Sequence, residues 1–183
     1  MNQTIQKTKT YEMAGIAVMA ALMCILGPMS IPIGVVPISF TNLVIYFAVY
    51  LLGGKKGTVS YLIYMLLGIC GLPVFSGYSS GIAKLAGPTG GYLIGFTFMA
   101  LITGIIIKKA RYQLFVSVLG MILATLVAYL FGTVWFVIQA KCTVAYALGV
   151  CVFPFLIGDF VKILLAGVIC PVLRKQLAKA GLL

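Results

Sequence analysis

The sequence predicts an all-α, polytopic membrane protein in which six transmembrane helices form a compact bundle. Hydrophobic residues make up 63% of its 183 residues and charged residues only 8%, whereas soluble domains are about 45–50% apolar and about 25% charged. So few charges cannot cover the surface of a water-soluble globule of this size. Six apolar runs and an uneven distribution of cations support the same prediction.

The six runs are distributed over a single membrane domain, residues 1–183. The hydrocarbon core of a bilayer is about 30 Å thick, so a spanning helix needs about 20 predominantly apolar residues. The expected helices are 13–27, 37–52, 57–72, 92–107, 113–139 and 147–173.

Glycine and proline mark the bounds of the first three runs. The first ends at Gly27-Pro28, and the second begins at Pro37. The turn 53–57, Gly-Gly-Lys-Lys-Gly, separates the second run from the third, and Pro73 follows the third. Because these residues disfavour a continuing helix, each of them indicates a boundary.

The last three runs are separated mainly by charged segments. Gly87–Gly91 leads into the fourth run, and the basic segment 108–111 follows it. The fifth run is long enough to tilt, and Lys141 separates it from the sixth. Pro171 lies close to the end of the sixth run, where we expect it to kink or stop the helix.

The cations indicate how the bundle is oriented. With a cytoplasmic N-terminus, only Lys84 and Lys141 fall outside, and Lys162 falls within the sixth run. Cytoplasmic loops carry an excess of Lys and Arg, so this asymmetry predicts that both termini are cytoplasmic. The net charge of +11 is then an orientation signal toward the lipid bilayer, and no nucleic-acid partner is expected. The cations on the cytoplasmic side are Lys7, Lys9, Lys55, Lys56, Lys108, Lys109, Arg111, Arg174, Lys175 and Lys179.

The composition excludes most enzyme chemistry. The chain has no His, and its two acids, Glu12 and Asp159, lie in different segments. We therefore expect no metal site, no catalytic carboxylate pair and no cofactor. The sequence also lacks the G-x-x-x-x-G-K-[ST] motif for nucleotide phosphates, so a transport subunit that does not itself hydrolyse ATP is the expected class.

Asp159 and Lys162 form the strongest candidate site. Either charge alone costs about 2.5–3.5 kcal/mol at the centre of a membrane helix, and the i, i+3 spacing puts both on one face. A self-satisfied structural ion pair is one interpretation. However, Asp159 is the only acid in the six apolar runs, and a carboxylate accepts more hydrogen bonds than one lysine uses. We therefore favour contact with a neutral ligand that presents N–H donors.

Other polar groups are expected at the same membrane depth or in the loops beside it. The connection 71–91 is rich in glycine but also contains apolar residues, so we expect it to pack and dip toward the membrane. Individually, such groups are more often helix partners or interfacial anchors than ligand contacts. The candidates are Asn42, Ser79, Lys84, Gly90, Gly91, Tyr92, Trp135 and Gln139.

Two pairs of small residues predict close helix contacts. Gly91-x-x-x-Gly95 favours packing within the chain over dimerisation. Ala17-x-x-x-Ala21 in the first run is also expected to pack internally by default. The alternative interpretation of this pair is a smooth surface on which another membrane subunit docks.

Four sequence blocks occur in order along the chain: Val36-Pro-Ile-Ser39, Gly71-Leu-Pro-Val-Phe75, Gly87-Pro-Thr-Gly-Gly-Tyr-Leu93 and Pro154-Phe-Leu-Ile-Gly-Asp-Phe-Val-Lys162. Together they resemble the biotin-specific S components of energy-coupling factor transporters. The resemblance implies a multi-pass protein of the prokaryotic plasma membrane that captures biotin from outside. It also implies a transmembrane coupling subunit, which Ala17 and Ala21 would meet, and two cytoplasmic ATPase subunits.

The resemblance also implies roles in biotin binding. Asp159 would accept a hydrogen bond from a ureido N–H, and Lys162 would donate to the ureido carbonyl or keep Asp159 ionised. These S components often carry Gln where Thr41 stands, so we expect Asn42 to supply the amide instead. Aromatic walls would come from Phe75, Tyr92 and Trp135, and the valerate carboxylate would lie near Ser79, Lys84 or the N–H groups of Gly90-Gly91.

Two alternatives remain open at this point. The first is an S component for another vitamin, such as thiamine or riboflavin, which would share the bundle and differ in the pocket. The second is a membrane scaffold subunit without a ligand, in which the Asp159–Lys162 pair is purely structural.

Overall fold

The computed structural model describes residues 2–32 and 36–181, with side chains from residue 9 onward. The tip of the loop at Pro28–Pro37 and the side chain of Lys7 therefore lie outside the described residues. The chain is mostly helical, as predicted. Its helices are α1 (Asn2–Leu26), α2 (Thr41–Leu52), α3 (Gly54–Ile69), α4 (Ile82–Ala86), α5 (Gly90–Lys109), α6 (Leu114–Ala140), α7 (Val144–Cys151) and α8 (Phe153–Lys179).

Helix length distinguishes two groups of elements. Within the described residues, four stretches are long and apolar enough to cross a membrane: Lys9–Leu26, Gly90–Lys109, Leu114–Ala140 and Val144–Lys179. By contrast, α2 has 12 residues, which span about 18 Å at 1.5 Å per residue. Length and composition thus identify four candidate spans, and the expected number of six stays a prediction.

The second run differs from the prediction at its start. We expected a helix from Pro37, but α2 begins at Thr41. The residues before it form a short antiparallel pair of strands, β1 (Ser30–Ile31) and β2 (Ile38–Ser39). Strand pairing holds the backbone of these residues extended, and the helix begins only after the pairing ends.

The sixth run is two helices where the sequence predicted one. The break lies at Val152, whose φ of −123° and ψ of −57° are not helical, between α7 and α8. Pro154 follows in the first turn of α8, where the missing N–H of proline has no helical partner to lose. Of the kink or stop expected at Pro171, the stop is wrong, because α8 continues through this residue to Lys179.

Small residues allow α5 to pack closely along α6. A Cβ atom on Gly95 would stand 3.1 Å from the Cα of Ala128, and one on Gly91 would collide with the side chain of Trp135. From the other side, Gly132 of α6 leaves room for the ring of Tyr92. The Gly91–Gly95 pair therefore packs within the chain, as its sequence favoured.

Arg174 joins three elements at the end of the bundle opposite the cavity described below. Its Nη1 donates to the carbonyl oxygens of Tyr50 and Leu51, both at 3.1 Å, at the last turn of α2. Its guanidinium lies 3.7 Å from the centroid of the Tyr112 ring, in the turn between α5 and α6. The arginine thus satisfies carbonyl groups that a helix end leaves without helical partners.

Candidate ligand-binding site

A cavity lies between α2, α5, α6, α8 and the loop that connects α3 to α5. The space between these elements, including the open mouth of the cavity, is about 610 Å³. Five of the eleven residues expected at the site line it, and they come from four different parts of the chain. These five are Asn42, Lys84, Tyr92, Asp159 and Lys162.

The carboxylate of Asp159 is the centre of a buried polar cluster. Its Oδ1 accepts hydrogen bonds from Nδ2 of Asn42 at 2.8 Å and from Nζ of Lys162 at 3.0 Å. Its Oδ2 accepts one from the hydroxyl of Tyr129 at 2.7 Å. Asp159 is only 5% exposed and Lys162 only 6%. The charges are therefore paired with each other and with neutral donors, as buried charges must be.

Lys162 is fully engaged with the protein. Besides Asp159, its ammonium donates to the carbonyl oxygen of Ser39 at 2.7 Å and to Oδ1 of Asn42 at 3.1 Å. An ammonium group has three donors, so these three bonds use all of them. Of the two roles expected for Lys162, donation to a ligand carbonyl would require one of these bonds to break.

The chemistry of its neighbours fixes the orientation of the Asn42 amide. Lysine can only donate and an ionised carboxylate can only accept. The amide oxygen therefore faces Lys162, and the amide nitrogen faces Asp159. Asn42 lies in the first turn of α2, directly after β2. The late start of α2 thus brings Asn42 and the Ser39 carbonyl to Lys162.

Aromatic rings form one wall of the cavity. The rings of Tyr92 and Phe155 stack with centroids 6.0 Å apart, and Phe96 lies 6.3 Å from Tyr92. The hydroxyl of Tyr92 donates to the carbonyl oxygen of Cys151, so the ring faces the cavity while its polar atom is bonded to the protein. Tyr92 was expected here, whereas Phe155 and Phe96 were not.

Lys84, on the short helix α4, also lines the cavity. Its Nζ is 3.4 Å from the carbonyl oxygen of Ser76, a long hydrogen bond that leaves donors for another partner. Partial burial lowers the pKa of this amine from its ordinary value. Ser79 was also expected near a ligand, but its hydroxyl donates to the same Ser76 carbonyl at 2.8 Å.

Three expected residues hold the α3–α5 loop in place and do not line the cavity in the described structure. Trp135 donates from Nε1 to the carbonyl oxygen of Gly87 at 2.9 Å, and Gln139 donates to that of Ala86 at 2.8 Å. Phe75 is fully buried, with its ring 5.7 Å from that of Tyr64. These side chains therefore contact the loop that lines the cavity, and not the cavity itself.

Gly90 and Gly91 are also outside the lining of the cavity as described. The N–H of Gly90, expected to be free for a ligand, donates to the carbonyl oxygen of Gly87 at 3.0 Å. A Cβ atom on Gly90 would collide with the carbonyl of Leu85, as one on Gly91 would with Trp135. The absence of side chains at these positions allows close packing at the start of α5.

Tyr129 is the partner of Asp159 that sequence reasoning missed. It lies within the apolar run 113–139 and is 6% exposed. A buried tyrosine hydroxyl usually needs a hydrogen-bond partner, and Asp159 is the carboxylate available in the middle of the bundle. This need was a signal for the pair, but the chain has ten tyrosines, and the sequence alone does not show which of them faces Asp159.

The pair Ala17 and Ala21 is exposed on α1. It therefore does not pack inside the bundle, which was its default interpretation. The same helix is tied to α3 nearer its start, where Glu12 pairs with Lys56 at 2.6 Å. The exposed small residues leave a smooth surface on one side of α1.

Comparisons with known proteins agree over nearly the whole chain. Residues 1–179 match the family described as the BioY family. The chain is 39% identical to the probable biotin transporter BioY of Pyrococcus horikoshii, over 84% of this chain and 90% of that protein. It is 34% identical to the biotin transporter BioY2 of Lactococcus lactis subsp. cremoris, over 88% of each.

A solved structure extends the agreement to the fold. It is the crystal structure of the S-component for biotin from an ECF-type ABC transporter. The two structures superpose with a TM-score of 0.84 at 34% sequence identity, and the match covers 96% of this chain and 94% of the other.

Proposed function

The chain belongs to the BioY family, and on this premise we propose that it takes up biotin as the S component of an energy-coupling factor transporter. The observation that carries the proposal is the match to a biotin S-component over 96% of the chain. The resemblance expected from the four sequence blocks is confirmed by these comparisons. The chain is accordingly a multi-pass membrane protein of a prokaryotic cell, with a transport role and not an enzymatic one.

The ureido ring of biotin is proposed to bind beside Asp159. A cyclic urea presents two N–H donors and one carbonyl acceptor. Asp159 supplies an acceptor, and Asn42 keeps one amide N–H beyond the bond that it gives to Asp159. In this arrangement Lys162 donates hydrogen bonds to Asp159 and to the Asn42 oxygen, so it supports the contact without touching the ligand.

The rest of the ligand is proposed to extend along the aromatic wall toward Lys84. The fused rings of biotin are largely apolar, and the stacked rings of Tyr92 and Phe155 offer an apolar surface of matching character. A carboxylate at the end of the valerate chain would meet the Lys84 ammonium, whose present bond to Ser76 is long. The neutral ring and the anionic tail thus have separate partners.

The partners and the orientation are part of the same proposal. We infer six spans with both termini in the cytoplasm, which agrees with the distribution of the cations. A transmembrane coupling subunit would dock on α1 at Ala17 and Ala21, where small side chains permit close approach. Two cytoplasmic ATPase subunits would supply the energy, because the sequence has no phosphate-binding loop of its own.

Ligand identification tests the proposal against the other vitamins. The protein is purified in detergent from cells grown with biotin, thiamine and riboflavin, and the retained small molecule is identified by mass spectrometry. Biotin is the expected ligand, released on unfolding and displaced by added biotin. Retention of thiamine or riboflavin would identify an S component for another vitamin, and the absence of saturable binding of all three would indicate a scaffold subunit.

A further inference from the structure

The carboxylate of Asp159 has one acceptor position left, and it lies on the oxygen that Tyr129 holds. An ionised carboxylate offers about four lone-pair positions, two on each oxygen. Oδ1 is filled by Asn42 and Lys162, whereas among the described residues Oδ2 accepts only from Tyr129. A ligand N–H that reaches Asp159 without displacing a protein group therefore binds at Oδ2.

We propose that Tyr129 is a positioning residue for biotin: its hydroxyl fixes Oδ2 of Asp159 so that the remaining acceptor position meets a ureido N–H. The inference rests on the proposed function, because it assigns a role in biotin binding to a residue outside the sequence blocks discussed above.

The physical basis is the freedom of an aspartate side chain. The terminal torsion of aspartate is broad and roughly two-fold, so its rotamer alone does not set the plane of the carboxylate. Two donors hold Oδ1, and the 2.7 Å bond from Tyr129 defines where Oδ2 stands. Hydrogen bonds to an ionised acceptor are stronger than those between neutral groups, so this bond can hold the plane.

The position of Tyr129 allows its hydroxyl to fix the carboxylate of Asp159. It lies on α6, whereas Asp159 lies on α8, so the bond fixes the carboxylate relative to the facing helix. Tyr129 also lines the cavity beside Asp159 and is 6% exposed. Replacement of tyrosine by phenylalanine therefore keeps the ring and removes only the donor.

The test compares biotin affinity in Tyr129→Phe with that of the unaltered protein, by isothermal titration in detergent. We expect the Kd for biotin to rise about tenfold or more, in the range set by a hydrogen bond to a charged group. Tyr50→Phe is the matched control, since Tyr50 is 1% exposed and its hydroxyl bonds to the Tyr112 carbonyl away from the cavity. Its Kd is expected to stay within about twofold of the unaltered value.

A double-mutant cycle separates positioning from a general structural effect. If Tyr129 acts through Asp159, then Tyr129→Phe added to Asp159→Asn changes the Kd by less than about twofold. Additive losses would overturn the inference, as would a Tyr129→Phe protein with unchanged affinity. Tyr129→Met, which also fills the space without a donor, provides the same comparison if Tyr129→Phe is not recovered folded.

Biotin binding by the unaltered protein distinguishes failure of the proposed function from failure of the role assigned to Tyr129. If it binds no biotin, the proposed function fails and this inference fails with it. If it binds biotin and Tyr129→Phe binds equally well, only the role of Tyr129 is refuted.

Discussion

Replacement of Asp159 by asparagine is expected to remove the acceptor that the ligand needs. Three donors converge on this carboxylate, from Asn42, Lys162 and Tyr129. An amide has one oxygen, and if that oxygen keeps the bonds of Oδ1, an NH₂ group replaces Oδ2. A ureido N–H would then meet a donor instead of an acceptor.

The expected loss follows from the hydrogen bond that disappears. A hydrogen bond to a charged group contributes about 1.5–3 kcal/mol, which corresponds to a rise in Kd of roughly 10- to 150-fold. The loss is measured by titration of purified protein with biotin, followed through heat or through the fluorescence of the only tryptophan, Trp135. Trp135 is suitable because it contacts the loop that lines the cavity.

The other acid in the chain provides a matched control. Glu12 pairs with Lys56, and both side chains are well exposed, so Glu12→Gln makes the same chemical change away from the cavity. We expect its Kd for biotin to be unaltered. A loss of less than about tenfold in Asp159→Asn, or an equal loss in Glu12→Gln, would refute the assignment of the ureido contact to Asp159.

Three further predictions concern the carboxylate end, the helix end and the docking face. Lys84→Gln should weaken the binding of biotin about tenfold but leave the binding of uncharged biotin amide unaffected, and an equal loss for both ligands would contradict this role. Because burial lowers the Lys84 pKa, the biotin affinity of the unaltered protein should fall as the pH rises through that pKa. Arg174→Gln should reduce the free energy of unfolding by about 1–3 kcal/mol, because two α2 carbonyl groups lose their donor; an unchanged midpoint of thermal unfolding would show that the contact contributes little. Ala17→Leu and Ala21→Leu should keep the biotin Kd and lose co-purification with the coupling subunit, and undiminished co-purification would exclude this face.

The helices could be predicted where a long apolar run by itself determines the extent of the helix. The run 113–139 is apolar over nearly its whole length, and α6 (Leu114–Ala140) follows it closely. The start of α2 could not be predicted in this way. The residues before Thr41 are as apolar as those after it, and only their pairing with β1, a tertiary contact, keeps them extended.

The part of the site that could be predicted consists of charged residues in an apolar run. Two charges three residues apart in an apolar run must find partners, and this identified Asp159 and Lys162 without knowledge of the fold. Trp135 and Tyr129 show the limit of the same reasoning. They lie six residues apart on α6, which places them about 120° apart around the helix. Only the rotation of α6 against α8 decides that Tyr129 meets Asp159 while Trp135 meets the loop.

Direct titration of the unaltered, ligand-free protein with biotin tests the function most directly. Binding of one biotin per chain, which saturates and is not competed by excess thiamine or riboflavin, is the predicted result. No saturable binding of biotin, or displacement of biotin by either of the other vitamins at comparable concentration, would contradict a biotin-specific S component.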